Sequence, residues 1–273
     1  MLVTESFILL NYPKTGSTFA RTVIKEIYQR RVSERSAARR ILDRLGIMPR
    51  PFIRELMLPN IMISGVQRPA DQHGTYSQIP PEYRDREIVT ICRNPYSRFI
   101  SAYEFGWWRE HPPVNSQLIV EHFPQFPDLS LDDYVRFSEL AMRHGRLKGK
   151  DVQARVGNQT VQFIQMFFRD PPSILDNITD EYIDSDRIFE DIAPVTFLRQ
   201  ETLNQDLADY LAGHGFTRKE SDFVRARDKV NVTPDKTTET GKLWTQCALD
   251  YVRNNERLIF RILEARGIHY NEP

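Results

Sequence analysis

Two cysteines in 273 residues, Cys92 and Cys247, with no CxxC spacing, leave little from which to build a disulfide framework or a structural zinc site. Long apolar runs are missing as well. No stretch approaches the roughly 18 residues that a membrane-spanning helix requires. The opening MLVTESFILLNYPK lacks the basic start and long apolar core of a secretion signal. There is no net charge either, because 37 Lys and Arg balance 37 Asp and Glu. A general nucleic-acid binder carries a basic excess, so that class is set aside. These absences predict a soluble protein of a reducing compartment, the cytoplasm, with no metal and no transmembrane segment. The charge is locally uneven, however. Residues 21–54 hold ten Lys and Arg against Glu26, Glu34 and Asp43. An anionic acceptor or a solvated helix face would each account for that excess.

What the chain does hold is enough apolar residue for a substantial core, 40% by count, in a length that fits one α/β domain spanning residues 1–273. The run SFILLN (6–11) reads as a buried strand, and the helical spacing after it extends to about Arg31. Thr15, Ser17 and Thr18 are candidate caps for that helix. A second, basic helix is predicted over 33–46, and strands over 59–65 and 87–92. Pro95 opens a helix running to about Phe105. Residues 111–130, with four prolines, read as loop. LDDYVRFSELAMRHG, NQTVQFIQMFFRD and LNQDLADYLAGHG read as helices, PVTFLRQE as a strand, and 242–266 as one long C-terminal helix. Strands separated by helices imply a central, mostly parallel sheet flanked by helices. Ligands of such sheets sit beyond the carboxyl ends of the strands.

Two strand-to-helix junctions fall at that edge. In the first, NYPKTGSTF, the leading N–H groups of the helix lack intrahelical partners and favour an anion. Gly16 permits close backbone approach, Lys14 adds a charge, and Ser17 and Thr18 add hydroxyls. A capped helix beside a solvent-facing Lys is the bland alternative. A triphosphate P-loop, G-x-x-x-x-G-K-[ST], is absent: Lys14 precedes Gly16, no glycine lies upstream in the turn, and EIVTIC does not end in a magnesium-binding Asp. In the second junction, CRNPYSRFISAYEF, Arg93 stands at a strand end and Ser101 eight residues later on the helix. Arg offers a planar fork suited to a phosphate, although such a residue is often a surface ion pair.

Together, PKTGST and RNPYSRFISAY resemble the sulfotransferases that use 3′-phosphoadenosine 5′-phosphosulfate (PAPS). The resemblance implies a P-loop-like sulfotransferase fold. Lys14, Thr15, Gly16, Ser17 and Thr18 would bind the 5′-phosphosulfate, and Arg93 and Ser101 the 3′-phosphate. VTFLRQETLNQDL is similar to the F-x-R-x-E-x-L-x-x-D stretch of the membrane-class and bacterial carbohydrate enzymes. KVNVT is similar to their late K-x-N-x-[ST] loop, so Lys229 and Asn231 would also lie near the cofactor. Phe19 replaces a Trp frequent in cytosolic members, and their late R-K-G loop is absent. The likeness is thus closer to the Golgi and bacterial branch.

Sulfuryl transfer needs charge stabilisation on the leaving phosphate, an anchor for the far end of the cofactor, and a base for the acceptor hydroxyl. Lys14 suits the first role. Of six histidines, His73 lies where several sulfotransferase branches place a catalytic His, and imidazole suits a general base. Glu104 is the rival base, and a solvent-facing ring is the bland reading of His73. Trp107 and Trp108 beside the site would stack on an acceptor, or at least one of them belongs to the core. The expected partner is a hydroxyl-bearing acceptor, a carbohydrate or small molecule. Two other readings remain: a P-loop nucleotide-dependent kinase, and a non-catalytic module that binds nucleotides or glycans.

Overall fold

The computed structural model describes residues 1–34, 51–60, 70–147, 149–150, 152–228 and 244–273. The strand expected at 6–11 is Phe7–Leu10 (β2), and it is the inner arm of a hairpin. Leu2–Thr4 (β1) folds back on it antiparallel, pairing Leu2 with Leu9. Thr4 closes the turn, its hydroxyl accepting from Phe7 N–H at 3.0 Å. Ile53–Glu55 (β3) adds to the outside of β1. On the other side, Glu87–Cys92 (β6) and Val195–Arg199 (β7) extend the sheet in parallel. The order is β3-β1-β2-β6-β7, with β1 alone running against the rest. Leu58–Pro59 (β4) and Ala70–Asp71 (β5) form a separate two-stranded ladder.

Both faces of the sheet are covered, which explains why FILL is apolar without alternation. Ile8 and Leu10 point into one core layer, with the helix Asn158–Phe167 and the C-terminal helix Arg257–Glu264. Phe7 and Leu9 point into the other, with Ser17–Ser33 and Leu203–Gly213. The alternation continues in β6, where Ile88 and Cys92 face the first layer and Val89 and Ile91 the second. Thr90, fully buried between them, donates its hydroxyl to Leu10 O at 2.9 Å and so carries no unpaired donor. A third cluster, rich in aromatics, joins Pro95–Phe105 to Leu131–Ala141 and Gln246–Asn255.

We number the helices used below as α1 (Ser17–Ser33), α2 (Pro95–Phe105), α3 (Asn158–Phe167) and α4 (Leu203–Gly213). Several expectations need correction. The stretch 111–130 is not wholly loop, since Ser116–His122 forms a helix capped by Asn115. The C-terminal helix is two helices, Gln246–Asn255 and Arg257–Glu264, broken at Glu256. The carboxylate of Glu256 turns inward there to accept from Gln159 N–H, Thr160 N–H and the Thr160 hydroxyl. No spacing pattern would show that a charged residue stops a helix to serve the start of another. The helix expected over 33–46, the strand over 59–65 and the loop holding Lys229 and Asn231 lie wholly or largely outside the described residues. No helix among the described residues is long and apolar enough to cross a membrane.

Candidate functional site

The parallel pairing of β2 with β6, Leu10 opposite Thr90, sets the NYPKTGST and RNP junctions side by side at one sheet edge. They touch: Arg93 Nη1 donates to Lys14 O at 3.3 Å. Arg93 Nε donates to Ser97 Oγ at 3.0 Å, and that hydroxyl donates to Asn94 O at 3.1 Å. Among the described residues Arg93 makes no ion pair, although Glu201 acts on its charge. Two of its five N–H groups are used, and the other three bond none of the described residues. Ser101 is half-buried two turns along α2, and its hydroxyl bonds no described side chain or backbone group.

The first junction is wound tightly. Lys14 has φ +66° and Gly16 φ +88°, both left-handed. Gly16 occupies this region freely, and an added Cβ would also come within 3.2 Å of Gln200 and 3.3 Å of Leu203. For Lys14 the conformation costs about 1–2 kcal/mol. Gly16, not a hydroxyl residue, is the N-cap of α1, with no side-chain cap. The hydroxyls expected to cap the helix turn elsewhere. Thr15 and Ser17, both buried, donate to Tyr12 O at 2.8 and 3.2 Å and so tie the turn to itself. Thr18 is the hydroxyl of the turn that bonds none of the described residues. The first helical amides, Ser17 and Thr18, have no backbone acceptor among the described residues, whereas Phe19 N–H returns to Gly16 O at 3.0 Å. This is the local geometry that favours an anion.

The Lys14 ammonium lies over the ring of Phe105, 3.6 Å from its centroid. Burial lowers its pKa from the ordinary lysine value, and Arg93 and Arg98 lower it further against the opposing pull of Glu104. Three cations converge on one turn, a region where an anion would be stabilised. Burial likewise works against the charge of Arg93, with Glu201 opposing.

His73 follows β5 and touches the chain just before the same turn. Its Nδ1 sits 2.7 Å from Asn11 O. A carbonyl only accepts, so Nδ1 carries a proton, and Nε2 bonds none of the described residues. Asn11 returns the tie by donating Nδ2 to Gln72 O at 3.1 Å, and Asp71 accepts from His73 N–H at 2.7 Å. Glu104 acts electrostatically on Lys14 and so borders the site too.

The pair of tryptophans divides. Trp108 is buried among Tyr103, Phe126, Tyr134 and Phe137 and is core. Trp107 is 45% exposed, and Phe105, next to Lys14, is 61% exposed. In FLRQETLNQDL the spacing has a structural reason: Arg199 grips Asp206 through Nε and Nη2 at 2.9 and 3.0 Å, pinning β7 to α4. Glu201 of the same segment accepts from Asn94 N–H at 2.9 Å and from Tyr270 at 2.9 Å. Composition offers no sign of Ser97, Arg98 or Glu201 at this edge; for Arg98 the only hint is its place five residues after Arg93. No family model, curated protein or solved structure matches the chain.

Proposed function

We propose that the site belongs to an enzyme that transfers a charged group from an anionic nucleotide. More specifically, we propose a PAPS-dependent sulfotransferase of P-loop-like fold, acting on a hydroxyl of a carbohydrate or small molecule. The observation that carries this reading is the contact between the two junctions, Arg93 Nη1 to Lys14 O at 3.3 Å. It allows one nucleotide to meet Lys14 with one phosphate and Arg93 with another. The residues fit such a ligand: uncommitted guanidinium N–H groups on Arg93, helix amides without acceptors, and no carboxylate bonded to either cation among the described residues.

The donor supplies the sulfuryl group and leaves as adenosine 3′,5′-bisphosphate. Lys14 and the start of α1 hold negative charge at the 5′ end, where it grows as the bridging bond breaks. Arg93 and Ser101 hold the 3′-phosphate, and Lys229 and Asn231 are assigned to the cofactor on resemblance alone. His73 Nε2 takes the proton of the attacking hydroxyl, the tautomer being set by Asn11 O. Incubation with radiosulfate-labelled PAPS and a panel of sugar, phenol and small-alcohol acceptors tests the assignment. Label on an acceptor supports it. Tight nucleotide binding with no transfer to any acceptor would favour a binding module, and turnover requiring ATP and magnesium would favour a kinase.

A further inference from the structure

We propose that Arg98 is the positioning residue of the Pro13–Lys14 turn, and that Gln159, anchored by Glu256, holds it in place. In its consequence for turnover this rests on the sulfotransferase reading; in its consequence for the backbone it does not.

Arg98 is 5% exposed, on the first turn of α2. Its Nε donates to Pro13 O at 3.0 Å, and its guanidinium lies 4.1 Å from the centroid of the Tyr12 ring. Its Nη1 donates to Gln159 Oε1 at 2.9 Å, and Nη2 donates to Gln162 Oε1. Among the described residues these partners are all neutral, and a buried cation without a counter-charge is costly to maintain. The planar fork explains the arrangement, because it reaches one carbonyl of the turn and two side chains of α3 at once. A lysine, with donors on a single nitrogen, does not span them.

Arg93 and Arg98 thus hold consecutive carbonyls, Lys14 O and Pro13 O. Each trans peptide is planar, with its N–H opposite its C=O. Fixing the Pro13 and Lys14 carbonyls therefore fixes the amides of Lys14 and Thr15 on the side away from these arginines. It also encloses the left-handed Lys14 between two held peptide planes. A non-glycine residue persists in that region where its surroundings over-determine it.

The support continues inward. Gln159 Nε2 donates to Pro95 O at 3.0 Å, and Gln159 N–H donates to Glu256 Oε1 at 3.2 Å. Glu256 Oε2 takes Thr160 N–H at 2.6 Å and the Thr160 hydroxyl at 2.7 Å. A chain of hydrogen bonds runs from the break between the two C-terminal helices, through the start of α3, to the turn around Lys14.

The test uses Arg98→Lys and, as a second variant that keeps the cation and removes its anchor, Gln159→Leu. Crystal structures of the variants and the wild type read the turn directly. In Arg98→Lys, Lys14 is expected to leave the left-handed region or the Pro13 carbonyl to rotate; a turn superimposing on that of the wild type overturns the proposal. Should Arg98→Lys fail to fold, the same comparison is made with Gln159→Leu, where an undisplaced Arg98 and turn overturn it. Calorimetric titration with adenosine 5′-phosphate and adenosine 3′-phosphate reads the consequence. A tenfold or greater loss for the 5′-phosphate with less than twofold for the 3′-phosphate is expected in Arg98→Lys. Equal losses refute a role confined to the turn. A wild type that binds neither nucleotide defeats the sulfotransferase reading, while the crystallographic result still decides the positioning role.

Discussion

Replacing Arg93 with Ala is the sharpest test of how the site divides a nucleotide between its two junctions. The guanidinium uses Nε on Ser97 and one Nη1 N–H on Lys14 O, which leaves three N–H groups. A 3′-phosphate taken by two of these would make two charge-assisted hydrogen bonds, each contributing about 1.5–3 kcal/mol in mutational series. Part of that is offset by water that solvates the phosphate in the variant. A net loss of about 2–4 kcal/mol is expected, or roughly 30- to 1000-fold in affinity. The assay is calorimetric titration of wild type and Arg93→Ala with adenosine 3′,5′-bisphosphate and adenosine 5′-phosphate. The second ligand controls for disturbance of the turn, because Arg93 also holds Lys14 O. The preference for the bisphosphate should collapse, with only a smaller loss for the monophosphate from release of the Lys14 carbonyl. Arg93→Lys should recover only part of the preference, since it keeps the charge and loses the fork. A preference that survives Arg93→Ala, or equal losses for both nucleotides, would refute the assignment of Arg93 to the 3′-phosphate.

Lys14→Ala should lower turnover by about 10²–10³-fold, as loss of a transition-state donor does, with a much smaller effect on adenosine 3′,5′-bisphosphate affinity; equal losses would count against its role at the leaving group. Burial and the neighbouring arginines depress the Lys14 pKa, and a bound anion would raise it again, so donor binding takes up a proton. Affinity should hold below the Lys14 pKa and decline as pH rises through it, at lower pH than for an exposed lysine near 10.4, and Lys14→Ala should abolish that limb. His73→Ala should lower kcat by roughly 10²–10⁴-fold with donor affinity within twofold, measured by radiosulfate transfer and titration; unchanged kcat would shift the base to Glu104. Gly157→Ala would set a Cβ 2.0 Å from Glu256 Oε1, which Gln159 N–H already holds. The repacking should cost about 1–3 kcal/mol, read by urea unfolding, and wild-type stability would show that the Glu256 carboxylate is free to move.

The sequence alone carried the elements whose signal is local. FILL is apolar because both faces of its strand are buried, and that reads directly from four residues. The helix from Pro95 to about Phe105 was legible, since Pro favours the first helical position; its cap, Asn94 accepting from Tyr96 N–H, shows only in the structure. Lys14 and Gly16 were candidates from the strand–turn–helix pattern itself, whereas Arg93 drew its weight, and His73 its candidacy, from the resemblance to sulfotransferases. The hairpin partner Leu2–Thr4 was missed. Three residues are too few to show a period, and only the ladder with β2 and β3 makes them a strand.

What tertiary structure decided was which side chains face which. The hydroxyls of Thr15 and Ser17 look like caps in the sequence, yet the left-handed turn at Gly16 swings them back onto Tyr12 O. Nothing in the sequence singles out Arg98, and burial against Tyr12 and α3 makes it part of the support of the turn. Glu256 falls within what reads as one long helix, whereas it ends one helix and serves the start of another, with burial pushing its pKa up. Hydrogen bonds joining residues 60 to 100 positions apart depend on the packing of whole elements, and no local pattern of residues encodes them. The sequence by itself determined that two anion-friendly junctions exist; the parallel pairing of β2 with β6 decided that they meet.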